Sequence, residues 1–194
     1  MSHPKDFLID ALHSPAAPTS PQREGLEQFQ ASLLARMAAS DNESTRSRRL
    51  AVLIGNQHCL IPLAQASEIL PLDGLTLTPV PATHAWFRGL LNIRGNLVGL
   101  ADLSGLAGAP LQPCGAGSHA LLLAPSLAPQ CGLLVAAVLG LRDIEEMTRI
   151  SKKYEEGIHL PGVNGRYKDG SGQQWDELDL SALSRDSNFL QIGR

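Results

Sequence analysis

The clearest pattern in the chain is a pair of mostly apolar runs that flank a short polar tip. Residues 90–93 form one run and residues 97–100 the other, and Arg94, Gly95 and Asn96 lie between them. Glycine and asparagine adopt a positive φ at little steric cost, which tight hairpin turns require. The pattern therefore predicts a β-hairpin that holds Arg94 at its tip, with no carboxylate within two residues.

Further apolar runs predict strands on both sides of this hairpin. Turn residues separate them, and the last pair encloses a glycine-rich tip that predicts a second hairpin. Residues 64–70 have room for a short helical turn or a bent strand, whereas the Gly/Pro-rich residues 107–118 predict a connecting loop. The runs predicted to be strands are 50–54, 58–61, 119–124, 131–136, 162–167 and 174–178.

Two six-residue segments share the pattern x-D-L-S-x-L, and each directly follows a predicted hairpin. They are residues 101–106 and 178–183, in which Asp102 and Asp179 are expected to cap a short helix. The shared order of strand, hairpin and capped helix predicts an internal repeat. Because a closed barrel leaves no unpaired strand edge, we expect two small barrels of short strands. The predicted lobes span about residues 49–110 and about residues 119–185.

The first 48 residues differ from the rest and are predicted to be an extension. Residues 1–19 carry little that could be buried and are expected to be mobile. Ser20 and Pro21 are good helix-start residues, and apolar positions at helical spacing predict an amphipathic helix at 21–39. This helix either packs on its own domain or docks on a partner, and the sequence leaves both alternatives open.

Composition narrows the class of protein. The net charge is −3 and the pI is about 6.0, without a basic stripe, so we expect no nucleic-acid partner. The three cysteines form no CxxC pair, which fits a reducing cytoplasm better than a disulfide framework. No apolar run approaches the roughly 20 residues that a membrane span needs. The sequence therefore predicts a cytoplasmic protein that does not insert directly into a membrane.

The sequence offers no pattern typical of a catalytic or metal site. The six histidines are scattered, with no pair at helical i, i+4 spacing, so we expect no bound metal. The glycines of residues 115–120 follow a proline-rich loop and open a strand, whereas a dinucleotide fingerprint opens a helix. We therefore expect no catalytic residues and no cofactor. The alternative is a small hydrolase or ligand-binding barrel that uses the crevice between the lobes.

Several polar and aromatic residues lie where a protein-binding surface could use them. Trp86 and Arg88 precede the first hairpin, Arg94 lies at its tip, and Glu68 interrupts an apolar segment. Tryptophan and arginine are over-represented among the interface residues that carry binding energy. Trp86 is alternatively a core residue, and Glu68 a solvated turn residue. We expect Glu68 and Arg94 to lie on separate patches.

A combination of short motifs resembles a known family. Glu68-Ile-Leu, the Thr-Pro-Val-Pro run at 78–81, Trp86 with Gly89, Asn92-Ile-Arg-Gly and Asp102-Leu occur in the order and spacing of the CheW-like domain. The resemblance extends over about residues 49–183, and the domain is expected to span 49–190. Residues 182–190 are similar to the tail of the family's type IV pilus (twitching-motility) branch. The chain departs from the pattern in its long N-terminal extension and in Gly99, where proline is common.

The resemblance implies a mainly β fold of two five-stranded, SH3-like barrels packed together, with short helices and the N-terminal extension. It also implies a non-catalytic adaptor that links the tip of a methyl-accepting chemoreceptor to the regulatory domain of a CheA-type histidine kinase. A flagellar rather than a pilus system is the related alternative. In the family, the residues that match Glu68 and Arg94 belong to partner contacts. The full set of predicted partner-binding residues is Glu68, Trp86, Arg88, Asn92, Arg94, Gly95 and Val138.

Overall fold

The computed structural model describes residues 47–150 and 159–194, which belong to one compact unit. The predicted helix at 21–39 and most of the predicted extension lie outside these residues. Besides two 3-10 helices, Leu63–Gln65 and Ile144–Glu146, the described residues form twelve strands and three short α-helices. These are β1 (Arg48–Ile54), β2 (Gln57–Pro62), β3 (Ala66–Pro71), β4 (Leu77–Thr78), β5 (Phe87–Ile93), β6 (Asn96–Ala101), α1 (Leu103–Leu106), β7 (His119–Leu123), β8 (Cys131–Val135), β9 (Ala137–Asp143), β10 (Thr148–Arg149), β11 (Val163–Lys168), β12 (Gln174–Leu178), α2 (Leu180–Leu183) and α3 (Ser187–Leu190).

The strands form two six-stranded sheets. The first has the order β10-β11-β12-β2-β1-β9 and the second the order β3-β7-β8-β6-β5-β4. Most neighbours are antiparallel, but β12 runs parallel to β2 in the first sheet and β6 runs parallel to β8 in the second. Both predicted hairpins are present, as β5–β6 and as β11–β12. A mainly β fold with two lobes is thus confirmed, although each sheet has six strands rather than five.

The predicted lobe boundaries, 49–110 and 119–185, are wrong. The second sheet is continuous in sequence from β3 to β8, whereas the first combines β9–β12 with the N-terminal hairpin β1–β2. The cause is the parallel pairing of β2 with β12 across more than 100 residues, which local hydrophobic patterns do not encode. The internal repeat is nevertheless present. Strands β3 to β8 correspond in pairing and direction to β9, β10, β11, β12, β1 and β2.

The correspondence between the two sheets extends to single residues. Asp102 follows the end of β6 and Asp179 the end of β12, and each caps a four-residue helix. In the hairpin before each aspartate one strand carries an extra residue, Arg88 in β5 and Asn164 in β11, at the same register position. Bulges that coincide in this way are specific features of a fold. The two sheets are therefore two copies of one topology.

A shared apolar core lies between the two sheets. Alternate residues of β1, namely Leu50, Val52 and Ile54, are buried in it, and so are Leu121 of β7 and Leu133 of β8. Because successive strand residues point to opposite faces, the residues between them face the other way. Each sheet is thus buried against the other sheet on one face and lines a smaller interior on its second face.

Each of these smaller interiors closes a barrel. In the second sheet the cluster around Leu91 and Leu100 includes Leu70 of β3 and Leu77 of β4, although these strands are the two edges of the sheet. Side chains from opposite edges can meet only when the sheet curls round. The strongly curved second sheet brings the tip of β5–β6 towards β3.

Gly89 marks a point where the barrel wall leaves no room for a side chain. Its φ is +127°, and a Cβ there would clash with the carbonyl oxygen of Thr78. We expect Gly89→Ala to lower the free energy of unfolding by about 2–3 kcal/mol, measured by urea denaturation. Gly74→Ala is the matched control, because Gly74 has φ +78° with no atom within 4 Å of the added Cβ. Equal losses in both variants would contradict the clash.

Candidate functional site

The tip of the β5–β6 hairpin is a two-residue turn with unusual backbone geometry. Arg94 has φ +51° and Gly95 has φ +87°. The side-chain oxygen Oδ1 of Asn92 accepts a hydrogen bond from the backbone N–H of Gly95 at 2.9 Å and closes the turn. A left-handed conformation costs an ordinary residue about 1–2 kcal/mol, and Asn or Gly avoids most of that cost. An arginine that adopts this left-handed conformation despite the cost indicates that its side chain has a function.

Arg94 forms an ion pair with Glu68. Its Nη2 donates to Oε1 of Glu68 at 2.9 Å, and Nη1 lies 3.5 Å from Oε2. The Arg94 side chain is 76% exposed and that of Glu68 is 33% exposed. The expectation of separate patches is therefore wrong, since the two residues form one site. An ion pair this exposed contributes about 0–1 kcal/mol to stability.

Curvature of the second sheet is what brings the two residues together. Glu68 is on the edge strand β3, and β7 and β8 lie between β3 and β6. In a flat sheet three strand spacings would separate β3 from β6 by about 14 Å. Sequence reasoning identified both residues as candidates but could not pair them, because the contact depends on barrel closure.

Arg88 points inwards and has a structural environment. Its Nη1 donates to the carbonyl oxygen of Gln112 at 2.7 Å and lies 3.4 Å from Oδ2 of Asp102. The Asp102 side chain is fully buried. The carboxylate also accepts from the backbone N–H groups of Ser104, Gly105 and Gln112. Arg88 and Asp102 thus tie the hairpin to α1 and to the loop that follows it.

Trp86 is a core residue rather than part of an exposed surface. It is 8% exposed and belongs to the shared core. Its ring stacks on His84, with centroids 6.2 Å apart, and on Phe189 of α3, with centroids 6.1 Å apart. The structure therefore supports the core alternative that the sequence left open for this residue.

Val138 lies on the other sheet from Glu68 and Arg94. It is in β9 opposite Val52 and packs against the shared core. In the internal repeat its equivalent is Ala66, because each is the first residue of the bulge in its strand. Val138 therefore occupies in the first sheet the place of a residue two positions before Glu68 in the second.

Leu97 is an exposed residue of this hairpin that the sequence analysis counted only as part of an apolar arm. It is 56% exposed, whereas Val98 and Leu100 of the same strand are buried. The signal was present in the sequence, because strict alternation along β6 sends Leu97 outwards when its neighbours point inwards. Leu97 therefore belongs to the surface at the tip, together with Asn92, Arg94 and Gly95.

The second hairpin differs in that the carboxylate at its tip, Asp169, bonds to groups of the hairpin itself. Asp169 accepts hydrogen bonds from the Ser171 hydroxyl and from Nε1 of Trp175 at 2.9 Å. These bonds, in that order of effect, lower the pKa of Asp169 to about 2. The Asp169 carboxylate thus accepts hydrogen bonds from residues close to it in sequence. The tip of the first hairpin, by contrast, presents Arg94 to solvent.

Residues 47–150 and 159–194 give little support for a metal site or for a membrane-spanning helix. Within these ranges no three His, Cys, Asp or Glu side chains are grouped so that they could hold a metal ion. No helix in the described part of the chain is long and apolar enough to cross a membrane, which takes roughly 20 residues.

Comparison with known proteins agrees with this architecture. The family model of the CheW-like domain matches residues 49–188, which is most of the chain. The chain therefore belongs to the CheW-like domain family. It is similar to Protein PilI of Pseudomonas aeruginosa, with 26% identity over 145 residues that cover 72% of this chain and 76% of PilI.

The fold is also that of a solved structure. The scaffolding protein TtCheW from Thermoanaerobacter tengcongensis matches with a TM-score of 0.61 and 17% sequence identity. The match covers 76% of this chain and 97% of TtCheW. It shows that the two chains share an overall fold.

Proposed function

We propose that this protein is a non-catalytic adaptor of a bacterial chemosensory system. In this role it couples the tip of a chemoreceptor to the regulatory domain of a CheA-type histidine kinase in the cytoplasm. Membership of the CheW-like family supports this function. The observation that carries it is the exposed Arg94–Glu68 pair on a rigid hairpin, since loops and turns held by a scaffold are typical binding sites.

The polar residues of the tip have distinct proposed roles. Arg94 would bind a partner carboxylate through two parallel hydrogen bonds, the geometry that a guanidinium favours. Glu68 would hold the guanidinium in place before the partner arrives, while Asn92 and Gly95 fix the turn. Arg88 and Trp86 would support the site through the buried network and the core, because neither lies at the exposed tip. Val138 lies on the other sheet and stays a predicted partner-binding residue.

A direct binding experiment tests the proposed function. The purified full chain is mixed with the kinase regulatory domain and, separately, with a receptor-tip fragment, and each dissociation constant is measured by calorimetry. Binding to both is the expected result. Failure to bind both partners would contradict the proposal of an adaptor. Turnover of an ester or phosphate substrate by the purified protein would favour the alternative of a small hydrolase.

We further propose that the output is type IV pilus twitching motility. The similarity to Protein PilI and the resemblance of residues 182–190 to the pilus branch support this assignment. Deletion of the gene in its host should reduce twitching zones under agar and leave swimming in soft agar intact. The reverse phenotype would assign the protein to a flagellar system instead.

A further inference from the structure

The internal repeat places two arginines of the first barrel where the second barrel has leucines. Counted from the bulge in each strand, Arg142 of β9 corresponds to Leu70 of β3. Arg149 of β10 corresponds to Leu77 of β4, by its pairing with the neighbouring strand. In the second barrel these leucines come from opposite edges of the sheet and close the interior. The corresponding closure of the first barrel brings two positive charges to its seam, the side between the edge strands β9 and β10.

Each of the two arginines lies over an aromatic ring of the first barrel. Cζ of Arg142 is 5.7 Å from the centre of the Trp175 ring, and Cζ of Arg149 is 6.0 Å from the centre of the Tyr167 ring. Tyr167 and Trp175 are direct cross-strand neighbours, which places their Cβ atoms about 4.5–5.5 Å apart. Cation–π contacts therefore hold both guanidiniums over one pair of neighbouring rings.

The two guanidiniums keep donors that the described residues do not use. Arg142 and Arg149 are exposed, and within residues 47–150 and 159–194 neither forms an ion pair. Of the five N–H donors of its guanidinium, Arg142 uses one on a described residue, from Nη1 to the backbone oxygen of Leu141. Glu145 and Glu146, in the 3-10 helix between β9 and β10, pair with neither arginine. Two neighbouring cations with unused donors favour an anion that binds both.

A third arginine adds positive charge near the same rings. Arg49 is directly opposite Arg142 in the pairing of β1 with β9, and like charges in that arrangement repel each other. Its Nε donates to Oε1 of Glu177 at 2.7 Å, so this charge is neutralised within the barrel. Burial raises the pKa of Tyr167, whereas the charges of Arg149 and Arg49 act in the opposite direction. Positive charge therefore exceeds negative charge around this pair of rings.

We propose that Arg142 and Arg149 form a binding site for the dianion of a phosphate monoester. A carboxylate has two oxygens, and one guanidinium can bind both of them through parallel hydrogen bonds. A phosphate group carries a charge of about −1.5 to −2 and three acceptor oxygens, so it can bind two guanidiniums at once. This site goes beyond the proposed adaptor function and does not depend on it.

The test titrates inorganic phosphate into the full chain and follows the arginine Nε–H signals by NMR. The salt concentration is about 0.15 M, where the Debye length is about 8 Å and unspecific attraction is weak. Saturable shifts of the Arg142 and Arg149 signals are expected, with a dissociation constant of about 1 mM, the affinity of a few charge-assisted hydrogen bonds. Acetate at equal ionic strength should bind about tenfold more weakly.

Leucine variants give a matched comparison, because the second barrel has leucine at both equivalent positions. Arg142→Leu and Arg149→Leu should each weaken phosphate binding about tenfold or more. Both should remain folded in a thermal melt, since the fold accepts leucine at these places in its other copy. Arg185→Leu is the control for the loss of one positive charge, because Arg185 is exposed and follows α2. It should bind phosphate as the wild type does.

The outcomes decide both the site and its ligand. Full affinity in both leucine variants, or an equal loss in Arg185→Leu, would refute the site; if a variant fails to fold, wild-type shifts outside Arg142 and Arg149 would do so. Acetate binding as tight as that of phosphate would refute the choice of ligand. A short phosphoserine peptide that binds about tenfold more tightly than inorganic phosphate would identify a phosphorylated partner as the source, and equal binding a free phosphate compound. Neither result changes the adaptor, which the kinase and receptor titrations test separately.

Discussion

Asp102→Ala should lower the free energy of unfolding by about 3–5 kcal/mol, the largest stability loss that we expect from a single polar substitution in this protein. The variant leaves the backbone N–H groups of Ser104 and Gln112 without their acceptor in the core. It also removes the carboxylate that faces the Arg88 guanidinium. For a protein of this size the melting temperature should fall by about 10 °C, measured by circular dichroism.

The internal repeat supplies the control for this prediction. Asp179 caps α2 as Asp102 caps α1, but its remaining partner is the side chain of Gln65, and it is only half-buried. Asp179→Ala should therefore cost about 1 kcal/mol, the usual value for a helix cap. A similar loss in both variants would mean that the buried network around Asp102 adds nothing to the cap.

Arg94→Ala should weaken binding to the kinase regulatory domain or the receptor tip by about 30-fold or more. Truncating one partner of a hydrogen-bonded charge pair at an interface costs about 2–5 kcal/mol, and about 1.4 kcal/mol corresponds to a factor of ten. Folding should barely change, because the Glu68 pair is exposed and alanine carries the same strain at φ +51°. Calorimetry and a thermal melt of the same samples provide both readouts.

Arg185→Ala is the matched control for the loss of one positive charge. Arg185 is an exposed arginine whose Nη2 donates to the Ser181 hydroxyl, in the segment between α2 and α3. It should bind both partners as the wild type does. Unchanged affinity of Arg94→Ala for both partners would exclude Arg94 as a contact residue, and a collapsed melt would show that its role is structural.

Local chemistry made most of the secondary structure predictable. The two hairpins, the connecting loop and the helix caps at Asp102 and Asp179 each depend on residues close together in sequence. Turn residues and capping aspartates act within a few positions of themselves. The repeated x-D-L-S-x-L segments thus revealed an internal duplication that the sheet topology confirms.

Long-range pairing was the part that the sequence concealed. The parallel contact between β2 and β12 reassigns the N-terminal hairpin to the C-terminal strands, so a division of the chain at its middle loop was wrong. The Glu68–Arg94 pair has the same origin, because it forms only after the second sheet has curled. The inward direction of Arg88 likewise depends on contacts with residues far along the chain, Asp102 and Gln112.

The first barrel combines the first two strands with the last four, and this order has a consequence for synthesis on the ribosome. Domains commonly begin to fold as the chain emerges, and β3–β8 form a continuous unit that can close as soon as β8 is released. The earlier hairpin β1–β2 emerges first, yet its neighbours β9 and β12 are made last. Until the chain is nearly complete, the apolar residues Leu50, Val52 and Ile54 lack core neighbours from its end, such as Leu178 and Leu180. A nascent chain that stalls after β8 therefore exposes this hairpin to chaperones and to other nascent chains.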